Sequence, residues 1–237
     1  MPKYKIADII FSYIPTYSYT ENLCKNYQYL GGEPCETHIV VSSEDIDKEK
    51  EYAKPLIFPE DYLESLALYR KFLTYAFDHD TIILHSSALA VDGDGYIFTA
   101  PSGTGKSTHA RLWRETFGDK VVMVNDDKPV IRKIGKEFFV FGTPWNGKHH
   151  LDSNVKAKIK GVCQLKRGKE NSVSEMSAKD MLFVLLNQTL RPETEAQVER
   201  LFTLLDELLT SVPLYQMHCN ISKEAAELAY KTMSGKS

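Results

Sequence analysis

The chain has few features that would staple, anchor or charge it. Its 237 residues hold four cysteines, Cys24, Cys35, Cys163 and Cys219, with no pair at C-x-x-C spacing and no Cys/His cluster at zinc-like spacing. A redox motif and a zinc finger are therefore not indicated, and free thiols in a reducing compartment are expected. The first stretch, "MPKYKIADIIFSYI", has only a short apolar run, broken by Asp8 and Ser12. It reads as neither a signal peptide nor a membrane span, which points to a cytoplasmic protein. A basic excess is also missing. Lys and Arg total 29 against 32 Asp and Glu, a formal net charge of -3. That excludes broad binding to nucleic acid or anionic membrane, though not a local pocket for a small anion. Internal repeats and low-complexity tracts are absent as well.

What is present is the composition of a globular chain, 43% hydrophobic and 26% charged, long enough for one substantial core and a small accessory lobe. Residues 4–14 and 38–42 read as strands joined by the loop-like "YLGGEPCE". Residues 42–55, "SSEDIDKEKEYAKP", read as a polar linker or solvated excursion. In residues 60–78 Leu63, Leu66, Leu68, Tyr69, Phe72, Leu73 and Phe77 recur at helical spacing. A boundary near residue 59 follows, with a strand-rich lobe over 1–59 and the main domain over 60–237. Residues 1–59 carry no recognisable motif, and acceptor docking is one role open to them.

Two β-rich runs then flank Asp92-Gly93-Asp94-Gly95, which has hairpin chemistry. The second run, Tyr96–Thr99, leads into "APSGTGKST", and a helix is expected from Lys106 to about Phe117. Residues 120–127 read as a buried strand ending in two carboxylates. Residues 129–142 read as a second hairpin turning at Gly135-Lys136. A strand over 159–166, helices over 177–190 and 194–211, a short strand in "PLYQMHC" and a last helix in "SKEAAELAYKTM" complete the chain. Hairpins stand where a purely parallel sheet would place crossover helices, so a mixed sheet is expected.

The stretch "TAPSGTGKSTHARLW", Thr99–Trp113, has the chemistry of a phosphate cradle. A loop around a phosphate aims several backbone N–H groups inward, and Gly103 and Gly105 permit that curvature. Lys106 adds a point charge for terminal phosphates. Ser107 offers a hydroxyl to Mg²⁺, and the following helix contributes its dipole. Ala100 stands where an opening glycine is usual; a small residue serves there if its φ stays negative.

"VMVNDD" puts Asp126 and Asp127 at a strand end, where successive side chains point to opposite sides. One can hold Mg²⁺ beside Ser107 while the other faces an attacking hydroxyl as a general base. His85, in "ILHSSALAV", lies on the strand paired with the one entering the loop, and a tight hairpin would bring it near both the loop and the aspartates. "GTPWNGKHH" reads as a locally basic loop around Trp145, with Lys148 and His149 available to an acceptor or a transferred phosphate.

Together, "ILHSSALAVDGDGYIFTAPSGTGKSTHARLW", "VVMVNDDKPVI" and "FGTPWNGKHH" resemble the HPr kinase/phosphorylase-related kinases, and in particular their smaller bacterial homologues. The resemblance spans about residues 60–230. It implies an α/β P-loop kinase fold with the mixed sheet of the phosphoenolpyruvate carboxykinase-like type, here with a small N-terminal α+β lobe. It implies ATP and Mg as cofactors, and transfer of the γ-phosphate to a hydroxyl, with serine of a protein or peptide as acceptor. By this match His85 supports the catalytic aspartate, Asp126 is the base, Asp127 and Ser107 form the Mg side, and Lys106 stabilises the transferred charge. Ser102, Gly103, Thr104, Gly105, Lys106, Ser107 and Thr108 cradle the nucleotide phosphates, while Trp145, Lys148 and His149 are expected to face the acceptor from the loop's own basic character and its place after the acidic hairpin. Thr108 stands where HPr kinases carry an acidic residue, and their later Glu-x-Arg-Gly signature is missing, so neither HPr as substrate nor a hexamer is implied. A kinase of a free amino acid or sugar and a non-catalytic nucleotide-binding regulator are the alternative readings.

Overall fold

Residues 4–14 form two strands rather than one. The structure, a computed structural model, describes residues 1–147 and 149–235. In it β1 (Lys3–Ile6) and β2 (Ile9–Ser12) make an antiparallel hairpin. Its turn is Ala7-Asp8, both at positive φ (53° and 59°), the backbone that a two-residue hairpin connection demands. The expected strand over 38–42 is reduced to β3 (Thr37–His38), which pairs in parallel with β2.

The stretch expected to be a linker is largely helical. After α1 (Ser18–Cys24) comes α2 (Ser43–Ala53). Ser42 caps α2 and Asp45 bonds back to the Ser42 backbone N–H, a capping box that starts a helix despite its polar face. Next is α3 (Glu60–Ala76). Arg70 of α3 holds Glu49 of α2 through two hydrogen bonds, at 2.6 and 3.0 Å. Phe72 packs on Phe11 with ring centroids 5.4 Å apart. Because α3 packs with these elements, the first compact unit runs from Met1 to His79, beyond the boundary expected near residue 59.

The second unit, Asp80–Ser237, is a mixed α/β layer structure. Its strands are β4 (Thr81–Ile83), β5 (Ser86–Val91), β6 (Asp94–Thr99), β7 (Val121–Asn125), β8 (Val130–Ile134), β9 (Glu137–Phe141), β10 (Lys156–Arg167), β11 (Ser172–Glu175) and β12 (Leu214–Cys219). The sheet runs β4-β8-β9-β10-β6-β5-β7, with β12 on β10 and β11 on β12. Pairs β6–β10 and β10–β12 are parallel and the other pairs are antiparallel. The mixed sheet expected from the two hairpins is thus present.

Helices cover both faces, which explains why β5 and β6 are nearly continuous buried runs rather than alternating ones. Ala88, Ala90, Ile97 and Val162 pack with Leu185 of α5 (Ala178–Leu186) and Leu201, Leu205 and Leu208 of α6 (Glu195–Ser211). Leu89, Val91, Tyr96 and Phe98 pack on the other face with Trp113 of α4 (Lys106–Phe117) and Ala225, Ala229 and Met233 of α7 (Lys223–Ser234). Ala100 is fully buried in this second layer. The four cysteines are free. No helix among the described residues is long and apolar enough to cross a membrane.

Candidate functional site

Strand register brings the sequence-distant motifs together. β5 lies between β6 and β7. Ser86 is opposite Thr99 at the end of β6, and Ala88 is opposite Asn125 at the end of β7. His85, one residue before β5, therefore stands between the glycine loop and the aspartate pair. Two bonds tie the strand end to that pair: Ser86 N–H donates to the Asp127 carbonyl at 3.1 Å, and Ser87 Oγ donates to the Asp126 carbonyl at 3.2 Å.

The loop itself links β6 to α4. Gly103 and Gly105 sit at φ +76° and +126°, with no heavy atom within 4 Å of where a side chain would begin. Their requirement is thus backbone freedom, not space. Lys106 is buried and its Nζ donates to the Ala100 carbonyl at 2.9 Å. Burial pulls its pKa below the ordinary lysine value, opposed by the Asp127 charge. From the end of β10, Arg167 donates to the Gly103 carbonyl at 2.6 Å and to the Thr104 carbonyl at 3.4 Å. Holding those carbonyls from outside leaves the loop amides to the other side.

The two aspartates have different surroundings. Asp126 is 4% exposed and accepts the Gly147 N–H at 2.7 Å. Burial raises its pKa, helped by the Asp127 charge and opposed by the Gly147 bond. Asp127 is also penalised by burial, but a His85 hydrogen bond and Lys128 outweigh this and hold it below the ordinary carboxylate value. His85 Nε2 lies 3.1 Å from Asp127 Oδ1. The histidine expected to support Asp126 thus pairs with Asp127, because the turn after β7 brings the second carboxylate, not the first, to the start of β5.

That turn depends on Asn125, a residue the sequence reading passed over. It is fully buried. Its Oδ1 accepts the N–H groups of Asp127 at 2.8 Å and Lys128 at 2.7 Å. Its Nδ2 donates to the carbonyls of Thr143 at 2.9 Å and Trp145 at 3.2 Å. The signal in "VNDDK" was an Asx turn, in which an asparagine bonds backbone two and three residues on. Asn125 thereby fastens the "GTPWNGKHH" loop to the aspartates.

A cleft of about 550 Å³ is lined by Ser102, Gly103, Gly105, Lys106, Ser107 and Thr108 on the loop side. His85, Asp126, Asp127, Gly147 and His149 complete its wall. Thr104 lies on a neighbouring cavity rather than on this one. Trp145 is buried, so its side chain anchors the loop, whereas His149 is exposed on the cleft wall. Lys148 lies outside the described residues.

The donor set suits a magnesium ion shared with phosphates: an ionised Asp127 and the Ser107 hydroxyl border one cleft. Mg²⁺ is usually held by one or two carboxylates plus substrate phosphates rather than by an all-protein cage. Among the described residues no cluster of three or more His, Cys, Asp or Glu forms such a cage.

No family model matches the chain. No curated protein matches it either. Among solved structures, the HPr(Ser) kinase/phosphatase from Coxiella burnetii is similar at 10% sequence identity, with a TM-score of 0.36. The match covers 65% of this chain and 99% of that one.

Proposed function

We propose that the chain is an ATP- and Mg-dependent kinase that transfers the γ-phosphate to a hydroxyl, with serine of a peptide or protein as acceptor. The observation that carries this reading is the convergence in one cleft of the glycine loop, Lys106 and Ser107 with Asp126, Asp127 and His85. Phosphoryl transfer asks mainly for positioning and charge stabilisation, and this cleft offers both.

In this reading the amides of Gly103–Thr108 and the α4 N-terminus hold the β- and γ-phosphates. Lys106 leaves the Ala100 carbonyl for a phosphate oxygen, a charge-assisted bond in place of a neutral one. Ser107 and Asp127 would hold Mg²⁺, which when bound neutralises charge building on the phosphates. Asp126 takes the proton of the acceptor hydroxyl. Its raised pKa suits a base better than the lowered one of Asp127. His85 is a positioning residue that fixes the Asp127 carboxylate through the 3.1 Å contact. The cleft also has His149 on its wall, where an acceptor side chain would enter in this reading.

The test is transfer of labelled γ-phosphate from ATP to serine-containing peptides, with release of inorganic phosphate followed in parallel. Asp126→Asn is expected to abolish transfer while ATP still binds. Transfer by Asp126→Asn at the wild-type rate would remove Asp126 from the base role.

A further inference from the structure

β10 outruns the strand that feeds the glycine loop. Its pairing with β6 ends at Gln164, opposite Thr99, where β6 gives way to the loop. Leu165, Lys166 and Arg167 continue as strand, paired with Met217, His218 and Cys219 of β12. Gly168 N–H donates to the Cys219 carbonyl at 2.9 Å and closes that pairing. The Arg167 backbone is therefore fixed by the sheet, while its side chain is exposed. That side chain turns to the loop. Its Nη2 donates to the Gly103 carbonyl at 2.6 Å and its Nε, in a longer bond, to the Thr104 carbonyl at 3.4 Å.

Packing does not supply the same support. Gly103 and Gly105 meet no heavy atom within 4 Å of a side-chain position. Two cavities of about 500 Å³ each border the loop, and Arg167 lines both. Among the described residues, the loop's other hydrogen bonds are local. Thr104 N–H donates to the Pro101 carbonyl at 3.2 Å, Lys106 to the Ala100 carbonyl at 2.9 Å and His109 N–H to the Gly105 carbonyl at 2.9 Å. The geometry of Arg167 suits the task. Nε and one terminal nitrogen of a guanidinium form a rigid planar fork, and two successive carbonyls offer it two acceptors. A trans peptide points its N–H opposite its C=O. Fixing the Gly103 and Thr104 carbonyls thus fixes the Thr104 and Gly105 N–H groups. The first closes the turn on Pro101. The second is aimed away from the guanidinium, as a phosphate on the other side of the loop requires.

We infer that Arg167 is a positioning residue for phosphate binding, whose fork holds the glycine loop in its ligand-ready shape before a nucleotide arrives. The inference rests on the phosphate-site reading above. A loop already ordered loses less freedom on binding, so the effect is on affinity. It is the same for every ligand that uses the loop, because Arg167 touches the loop and not the ligand. The rival is an exposed cation that acts through its long-range field alone. Lysine separates the two, since it keeps the charge on a single ammonium group and lacks the fork.

The experiment is calorimetric titration of the full chain, as wild type, Arg167→Lys and Arg167→Ala, with Mg²⁺ and, separately, ATP and inorganic tripolyphosphate. Arg167→Ala should weaken both ligands by the same factor, about tenfold, the scale of one hydrogen bond from a charged group. Arg167→Lys should stay about fivefold weaker than wild type, since it restores the charge and at most one bond. Both ratios should persist in about 1 M salt, where the Debye length is about 3 Å and a long-range field is screened. Thermal unfolding should stay close to wild type in both variants, because the side chain is exposed. Wild-type affinity in Arg167→Lys, or a loss in Arg167→Ala that vanishes in salt, overturns the fork in favour of a charge effect. A large fall in the unfolding midpoint of both variants would make Arg167 a structural residue and overturn it too. So would a loss for ATP with none for tripolyphosphate. Equal affinities in all three proteins overturn the role of Arg167 while leaving the phosphate site intact. Failure of both ligands to bind the wild type overturns the phosphate-site reading, and this inference with it.

Discussion

Burial lifts the Asp126 carboxyl above its usual range, and the sign of the resulting pH effect is fixed. A carboxyl with a raised folded pKa weakens the fold once it ionises, so the penalty is absent in acid and grows toward neutral pH. Asp126→Asn should therefore gain stability relative to wild type between acidic and neutral pH, while losing transfer; denaturant midpoints at the two pH values measure it. A constant difference would contradict the assigned direction. His109 carries the opposite dependence. Its folded pKa of about 4 lies below the unfolded value of 6.5, so the unfolded chain takes the proton first as pH falls. Stability should drop by about 3 kcal/mol between about pH 6.5 and 4 from this residue alone. His109→Gln should flatten that loss, and an unchanged slope in urea titrations would refute it. At this scale the meeting of Lys106, Ser107 and both aspartates in one cleft was legible, because the glycine loop and the aspartate pair each follow a strand. The His85 partnership was not, since it depends on which of two adjacent carboxylates the Asn125 turn sends toward β5.

At the scale of elements, the loop and the β7 turn are two short backbone devices on a rigid sheet. Gly105 at φ +126° is closed to side chains without strain. Gly105→Ala should cost about 1–3 kcal/mol and weaken nucleotide binding further by re-aiming the amides. Thermal unfolding and ATP titration read the two effects separately. Asn125→Ala strands two N–H donors and leaves the Thr143 and Trp145 carbonyls without this amide. A loss of about 2–4 kcal/mol is expected, and wild-type denaturation would contradict the turn's importance. The β5–β6 and β8–β9 hairpins and the loop-to-α4 junction could be read from glycine placement and apolar runs. The β1–β2 hairpin could not, because its turn is Ala7-Asp8 rather than a glycine pair. α2 was missed for a different reason. Its surface is mostly charged, and the Ser42–Asp45 capping box is what signals it.

For the whole molecule, the chain divides at His79/Asp80, and every described residue lining the cleft of Lys106 and the two aspartates belongs to the second unit. Sequence periodicity identified the 60–76 helix but not the partners it packs on, since Leu63, Leu68 and Phe72 would suit either core. Hydrogen exchange with and without Mg-ATP should show new protection over 100–109, over 126–127 and at 147 and 149. Protection confined to the first unit would place the nucleotide elsewhere. The most direct test of the phosphate site is a titration of Mg-ATP into the wild-type chain and into Lys106→Ala. Removing the buried Lys106 ammonium group should weaken binding at least tenfold, in line with loss of a charge-assisted bond. Equal affinity in the two proteins would contradict the account.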